Sequence, residues 1–200
     1  WSQLDWHYFL IQLLYLVEYA DYNIQSKIGP GHTNANNTGP KNSGGCNALG
    51  MKSGCMVKND TNSVVYRGIE DLYGNVWQFF DGLNINNYQA YISYNPNTYA
   101  SDVFDGDYHK LGYVNSSTTG SYITALGYDP KNPLVGLPTD VNGSSNTYMC
   151  DYYWTANEKR IALVGGSWHD NAGCGLWFWH YHHASSAFSV DVGARLLKTS

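Results

Sequence analysis

A chain of 200 residues, 43% of them hydrophobic, is long enough to bury the core of one sizeable domain. Its net charge of −5 excludes a basic footprint for nucleic acid. Charged residues make up only 14%, while 18 Tyr and 7 Trp stand among stretches crowded with Asn, Gly and Ser. That mixture of rigid rings and adaptable polar groups is the chemistry of recognition surfaces.

In chain order, residues 4–21 predict the main helix. Leu, Gln, Glu and Ala favour it, and Asn23 with Gly29-Pro30 marks its exit. It is apolar almost all round, which predicts burial on more than one side, and no basic face supports a bilayer anchor. The apolar run 8–17 is too short to span a membrane, and no signal peptide is read. Beginning at Trp1, the sequence is expected to be the C-terminal part of a longer protein. Residues 29–54 predict a surface loop without phosphate-loop spacing, and residues 63–66 a short strand. A helical turn is expected over 69–72 and a strand over 75–80. A turn at Asn86-Asn87 then leads into a second strand over 88–94, forming a hairpin. Glu70, Asp71 and Asp81 read as caps and turn formers rather than acid–base groups.

Residues 95–148 form a long, weakly patterned insertion, with short apolar runs at 122–126 and 133–137 and no repeat. Asp102, Asp105 and Asp107 suggest a calcium loop, but the glutamate that an EF-hand requires is missing, and a solvated turn is preferred. Cys46, Cys55, Cys150 and Cys174 are too few for a disulfide scaffold; Cys46 and Cys55 are close enough in sequence to bridge. No CxxC spacing or Cys-His cluster points to structural zinc.

Residues 151–154 lead back to the segment on which the chain converges, residues 160–198. It opens with an apolar strand over 161–164 and closes with a second over 192–197, each bounded by glycine. Between them, rings, imidazoles and small polar groups mix without amphipathic order, and from His169 to Val192 there is no Lys, Glu, Gln or Met.

Gly165-Gly166-Ser167-Trp168, Gly193-Ala194-Arg195 and, upstream, Gly74-Asn75-Val76-Trp77 resemble the C-type-lectin-like fold of the formylglycine-generating-enzyme type. They are more similar to the variable proteins of diversity-generating retroelements. In that family the last segment reads GGSW, scattered variable positions, AGL or CGL, ASS and then GAR. Here Cys174-Gly175-Leu176 and Ala184-Ser185-Ser186 stand at the middle motifs. The resemblance implies a single α+β domain over residues 1–200, with a C-type-lectin-like fold and long irregular loops. An early helix would pack on the sheet, and the insertion would brace a variable face at about 165–192. It implies a non-enzymatic domain that binds a protein or glycan on a cell surface, displayed at a phage tail tip or on a bacterial surface. No cofactor, nucleic-acid partner or membrane insertion is expected. The alternatives are a formylglycine-generating-type enzyme or a relative that has lost activity, and, after it, a carbohydrate-binding lectin.

In such retroelements adenines are randomised, typically in Asn codons, which can become His, Asp, Tyr, Ser, Gly, Phe, Val or Ala but not Trp, Lys, Glu, Gln or Met. The variable, ligand-binding positions so implied are His169, Asp170, Asn171, Gly173, Phe178, His180, Tyr181, His182, His183, Ala187, Phe188, Ser189, Val190 and Asp191. The implied scaffold is Gly74, Asn75, Trp77, Gly165, Gly166, Trp168, Trp177, Trp179, Gly193 and Arg195. Phe178, Tyr181 and Phe188 are the expected anchors, with the histidines and Asp170 adding directional polar contacts. The reading fails if His180, Tyr181, His182 and Phe188 are mostly hidden in the interior or distributed over unrelated sides of the molecule.

Other chemistry is disfavoured. Formylglycine-generating enzymes hold copper with a cysteine pair after the GGS motif; here only Cys174 follows, and one thiol does not make a two-thiolate site. On a strand His180 and His182 share a face while His183 points away. With His169 they are candidate metal ligands, but no carboxylate support is evident and no metal is expected. No GxSxG elbow accompanies the Ser, His and Asp residues.

Overall fold

The computed structural model describes residues 4–34 and 39–195. The architecture is mostly β, 36% strand against 14% helix. The long helix α1 (His7–Tyr19) starts later than the sequence predicts. Leu4 forms a parallel bridge to Phe80, and the Asp5 carboxylate takes the His7 amide (3.1 Å). The helix ends at Ala20, whose left-handed backbone (φ 49°) lets its amide reach the Leu16 carbonyl. Tyr8, Phe9, Gln12 and Tyr15 form the buried face, at the spacing of one helix side. Burial on several sides, expected from composition, is not found: Leu10, Leu13 and Leu14 are partly exposed and Val17 is 83% exposed.

A helical turn, α2 (Ile24–Lys27), is capped by the Asn23 side chain. A small sheet follows, made of β1 (Gly54–Cys55), β2 (Val64–Tyr66) and β3 (Ile69–Glu70). The helical turn predicted at 69–72 is replaced by β3. Arg67 and Gly68, both at positive φ (49° and 80°), fold the chain back so that Ile69 pairs with Tyr66.

The large sheet has nine strands. They are β4 (Trp77–Asn86), β5 (Gln89–Ile92), β6 (His109–Tyr113), β7 (Ser121–Asp129), β8 (Asn132–Val141), β9 (Tyr152–Thr155), β10 (Lys159–Gly165), β11 (Gly175–Tyr181) and β12 (Val192–Gly193). Eight run in the order β6-β5-β4-β10-β11-β9-β7-β8, and β12 pairs with β4. β4 and β5 are the expected hairpin. Its turn residues Asn87 and Tyr88 both have positive φ (47° and 66°), as a type I′ turn needs. The segment 95–148 carries β6, β7 and β8 instead of remaining irregular. Register shifts along β7–β8 break the two-residue alternation that would have revealed these strands. Pro133 and Pro138 lie in β8, the last strand in the order, where a missing amide is tolerated.

The core sits between α1 and the sheet face formed by β4 and β11. Phe9 stacks on Trp179 (5.7 Å between ring centres), Tyr8 meets Trp179 edge-on (6.2 Å), and Tyr15 meets Trp177 (5.8 Å). Gln12, buried on the helix, donates to the Leu176 carbonyl (2.6 Å). All four cysteines are free thiols, including Cys46 and Cys55.

Candidate functional site

Two motifs far apart in sequence are tied into one frame. Gly165 and Gly166 run at φ 90° and 80°. A Cβ at the first would lie 2.8 Å from the Leu72 carbonyl oxygen, and at the second 2.5 Å from Cys174 Sγ, so only glycine fits. The Gly74 amide donates to the Gly165 carbonyl, and the Trp168 amide to the Asn75 carbonyl (both 3.1 Å). The Asn75 side chain bonds the Lys41 backbone in both directions and also reaches Asp71. At the chain's other end, Arg195 donates to Gln78 Oε1 and to the Glu70 and Asp71 carbonyls (2.5, 2.5 and 2.9 Å). Gly193 packs where a Cβ would fall 2.9 Å from Val76. Leu196 and Leu197, the end of the expected closing strand, lie outside the described residues.

On this frame β11 shows two faces. Strand alternation sends Trp177, Trp179 and Tyr181 one way, and Phe178 and His180 the other. Trp177 and Trp179 are core residues against α1. Tyr181 joins them: it is fully buried, edge-on to Tyr153 (5.7 Å) and tilted against Trp179 (5.7 Å). The expectation that Tyr181 is an exposed anchor is therefore wrong, because its position in the alternation matches that of the two tryptophans.

Phe178 and His180 are also only 2% exposed, but they line a cleft of about 340 Å³. Trp77 of β4, Trp154 and Tyr152 of β9, and Tyr122 of β7 form its other walls, with His169 and Asp170 beside them. Both indole N–H groups are already engaged: Trp77 Nε1 donates to Asp170 Oδ2 (2.8 Å), and Trp154 Nε1 to the Thr118 carbonyl (2.9 Å). Asp170 Oδ2 also accepts from the Ser167 amide (2.7 Å) and hydroxyl (2.9 Å), so this carboxylate holds the turn after GGSW as well as lining the cleft.

His180 is unusual in this setting. Both its ring nitrogens are buried without a hydrogen-bond partner. Burial, then the neighbouring His183 and His182, pushes its pKa down to about 3, so the ring is neutral near pH 7. Its ring stacks parallel to His182 (5.8 Å), and His183 stands edge-on to both (5.0 and 5.9 Å). His183 does not point away, as a continued strand would require. β11 ends at Tyr181, and the chain turns there, bringing His183 within 5.7 Å of Trp77. His169 meets Trp77 edge-on (5.6 Å) and approaches Asp191 Oδ2 (3.8 Å), whose Oδ1 is buried without a partner.

The remaining variable-position candidates divide. His182, Ser189, Phe188 (95% exposed) and Val190 (78%) face solvent, and Ala187 is partly shielded. Asn171 is exposed, with its amide bonded to the Thr33 carbonyl (2.9 Å). Gly173 is buried under Tyr152, 2.9 Å from where its Cβ would be, so it cannot present a side chain and is a packing position. The insertion does touch this region: Ser185 Oγ donates to Asp102 Oδ2 (2.6 Å), and Thr118 holds Trp154. Asp107 accepts from Asn95 (2.9 Å) and the Asp105 carbonyl from the Tyr108 amide (3.0 Å). Among the described residues, no group of three or more His, Cys, Asp or Glu side chains is placed to hold a metal ion.

No protein-family model matches the chain, and no curated protein does. The site rests on its geometry. The sequence reading missed Tyr122, Tyr152 and Trp154 as cleft walls and placed Trp77 only in the scaffold. Their contribution depends on β9 lying next to β11 and β7 next to β9, which no local pattern encodes.

Proposed function

We propose that the chain is a non-enzymatic binding domain that captures a target through the surface formed by the cleft and residues 182–191, and that this surface is diversified by a retroelement. The observation that carries the reading is the division at β11. One face locks into the core through Trp177 and Trp179. The other lines the cleft with Phe178 and His180, with His182 against Trp154 at its edge, and the following loop exposes Phe188 and Val190. The exposed side chains His182, Phe188 and Val190 can change at small cost to stability, since surface replacements usually stay within about 0.5 kcal/mol. Exposed and cleft-lining rings supply the affinity. The reading is supported by the frame, in which Gly74 and Trp168 bond Gly165 and Asn75, and Arg195 bonds Glu70 and Asp71.

The rival reading, a formylglycine-type copper enzyme, is not favoured. Cys174 is fully buried, its Sγ donates to the Ser167 carbonyl (3.3 Å), and burial raises its thiol well above the ordinary range. The deciding observation is at the gene: a near-copy of its 3′ end beside a reverse transcriptase, differing at adenines. Its absence removes the retroelement reading. Copper-dependent turnover of a cysteine peptide removes the binding reading, and calcium-dependent glycan binding turns it into that of a lectin.

A further inference from the structure

We infer that the aromatic cleft takes an alkylated ammonium group, either a free quaternary amine or a methylated lysine on a partner. The inference rests on the binding reading above and names the chemistry of its deepest contact. Ring faces carry negative charge density, and a cation within about 6 Å of them is attracted, most strongly by Trp. Trp77, Trp154, Tyr122, Tyr152 and Phe178 surround the space. Because both indole N–H groups are used internally, the tryptophans offer the ligand π-surface rather than donors.

The charges agree. No Lys or Arg lines the cleft, whereas Asp170 does. Asp170 Oδ2 is bonded by neutral donors only, and Asp191, next to His169, keeps a buried oxygen without a partner. Arg160 acts on His183 but pairs with Glu158 (3.4 Å) rather than with either aspartate.

The second, independent observation is His180, buried, unpartnered at both nitrogens and lining the cleft. A protonated imidazole there would repel a cation, and a neutral one does not. Its lone pair can accept an N–H from an incompletely alkylated amine. An anion would meet the Asp170 carboxylate at the cleft wall. At about 340 Å³ the space lies at the small end of ligand pockets, which suits a headgroup rather than a large ligand.

The test is titration of the whole chain with choline and with 3,3-dimethylbutan-1-ol, its uncharged isostere, followed by tryptophan fluorescence. Choline is expected to bind about tenfold more tightly. Trp154→Leu, at a partly exposed position, is expected to weaken choline at least about fivefold, with circular dichroism unchanged. A trimethyl-lysine peptide set against its unmodified form separates the two sources: tighter binding than choline assigns a protein partner, and weaker binding a free amine. Equal binding of the isostere, saturation by methyl glucoside but not choline, or no saturation by any probe each overturns the inference. None of these outcomes touches the retroelement reading, which is decided at the gene.

Discussion

On one side of β11, Trp177, Trp179 and Tyr181 are packed against α1 and its neighbours, with ring partners at 4.8–6.2 Å. On the other, Phe178 and His180 are equally shielded from solvent, yet what they face is a cleft. Exposure therefore does not separate the two faces; the identity of the neighbours does. Core rings are surrounded by atoms that cannot move away, whereas cleft residues border space that a ligand can fill. Unpartnered polar atoms do not separate the faces either: Tyr8, Tyr15, Trp179 and Tyr181 each bury one on the core side, as His180 buries two on the other.

The sharpest way to break this contrast is Trp179→Ala. It should cost about 3–5 kcal/mol, because α1 and Phe80 cannot collapse into the hole, and chemical denaturation would measure it. A cost as small as that of a surface change would show that the inner face is not the core.

His180 gives the next largest effect. The folded imidazole, among His182, His183, Trp77, Trp154 and Phe178, stays unprotonated down to about pH 3, while the unfolded one takes a proton near pH 6.5. Below pH 6.5 the unfolded chain holds more protons, so stability falls as pH drops. The loss from this group should reach about 2 kcal/mol by pH 5. His180→Leu should remove that part of the pH dependence; an unchanged slope would mean the ring is not shielded.

Asp151 works in the opposite direction. Burial raises its pKa well above the carboxylate range, while one oxygen accepts the Trp177 amide (2.8 Å). The folded chain keeps a proton that the unfolded chain loses near pH 4, so this group costs stability at neutral pH and the cost fades on acidification. Asp151→Asn should raise stability at pH 7 and lose that gain as the pH falls toward 4. Thermal unfolding at the two pH values checks it.

Phe188→Ser should give the smallest effect on folding, within about 0.5 kcal/mol, because its ring is 95% exposed. If the surface reading holds, the same change should weaken capture of the target by about tenfold or more, measurable by surface-binding kinetics. A large loss of stability, or none of affinity, would remove Phe188 from the binding surface.

Much of this frame is legible in one dimension. Helix, hairpin and apolar strands carry their own periodicity, and Gly165-Gly166 marks a turn that no side chain could enter. The glycine and tryptophan motifs locate the segment that matters. Residues 95–148 are not legible as strands, since bulges erase the alternation of β7 and β8. Tyr181 is misread because tyrosine suits both a surface anchor and a core. The direction of one strand decides between them, and that depends on where α1 lies.

Sequence alone determined that a rigid frame ends in a segment rich in rings and imidazoles. Only the tertiary structure decided which side of β11 faces a cavity, and that Tyr122, Tyr152 and Trp154, from strands outside that segment, wall it. The reason is that periodicity is a property of neighbours along the chain, whereas a cleft belongs to strands that become neighbours only when the sheet assembles.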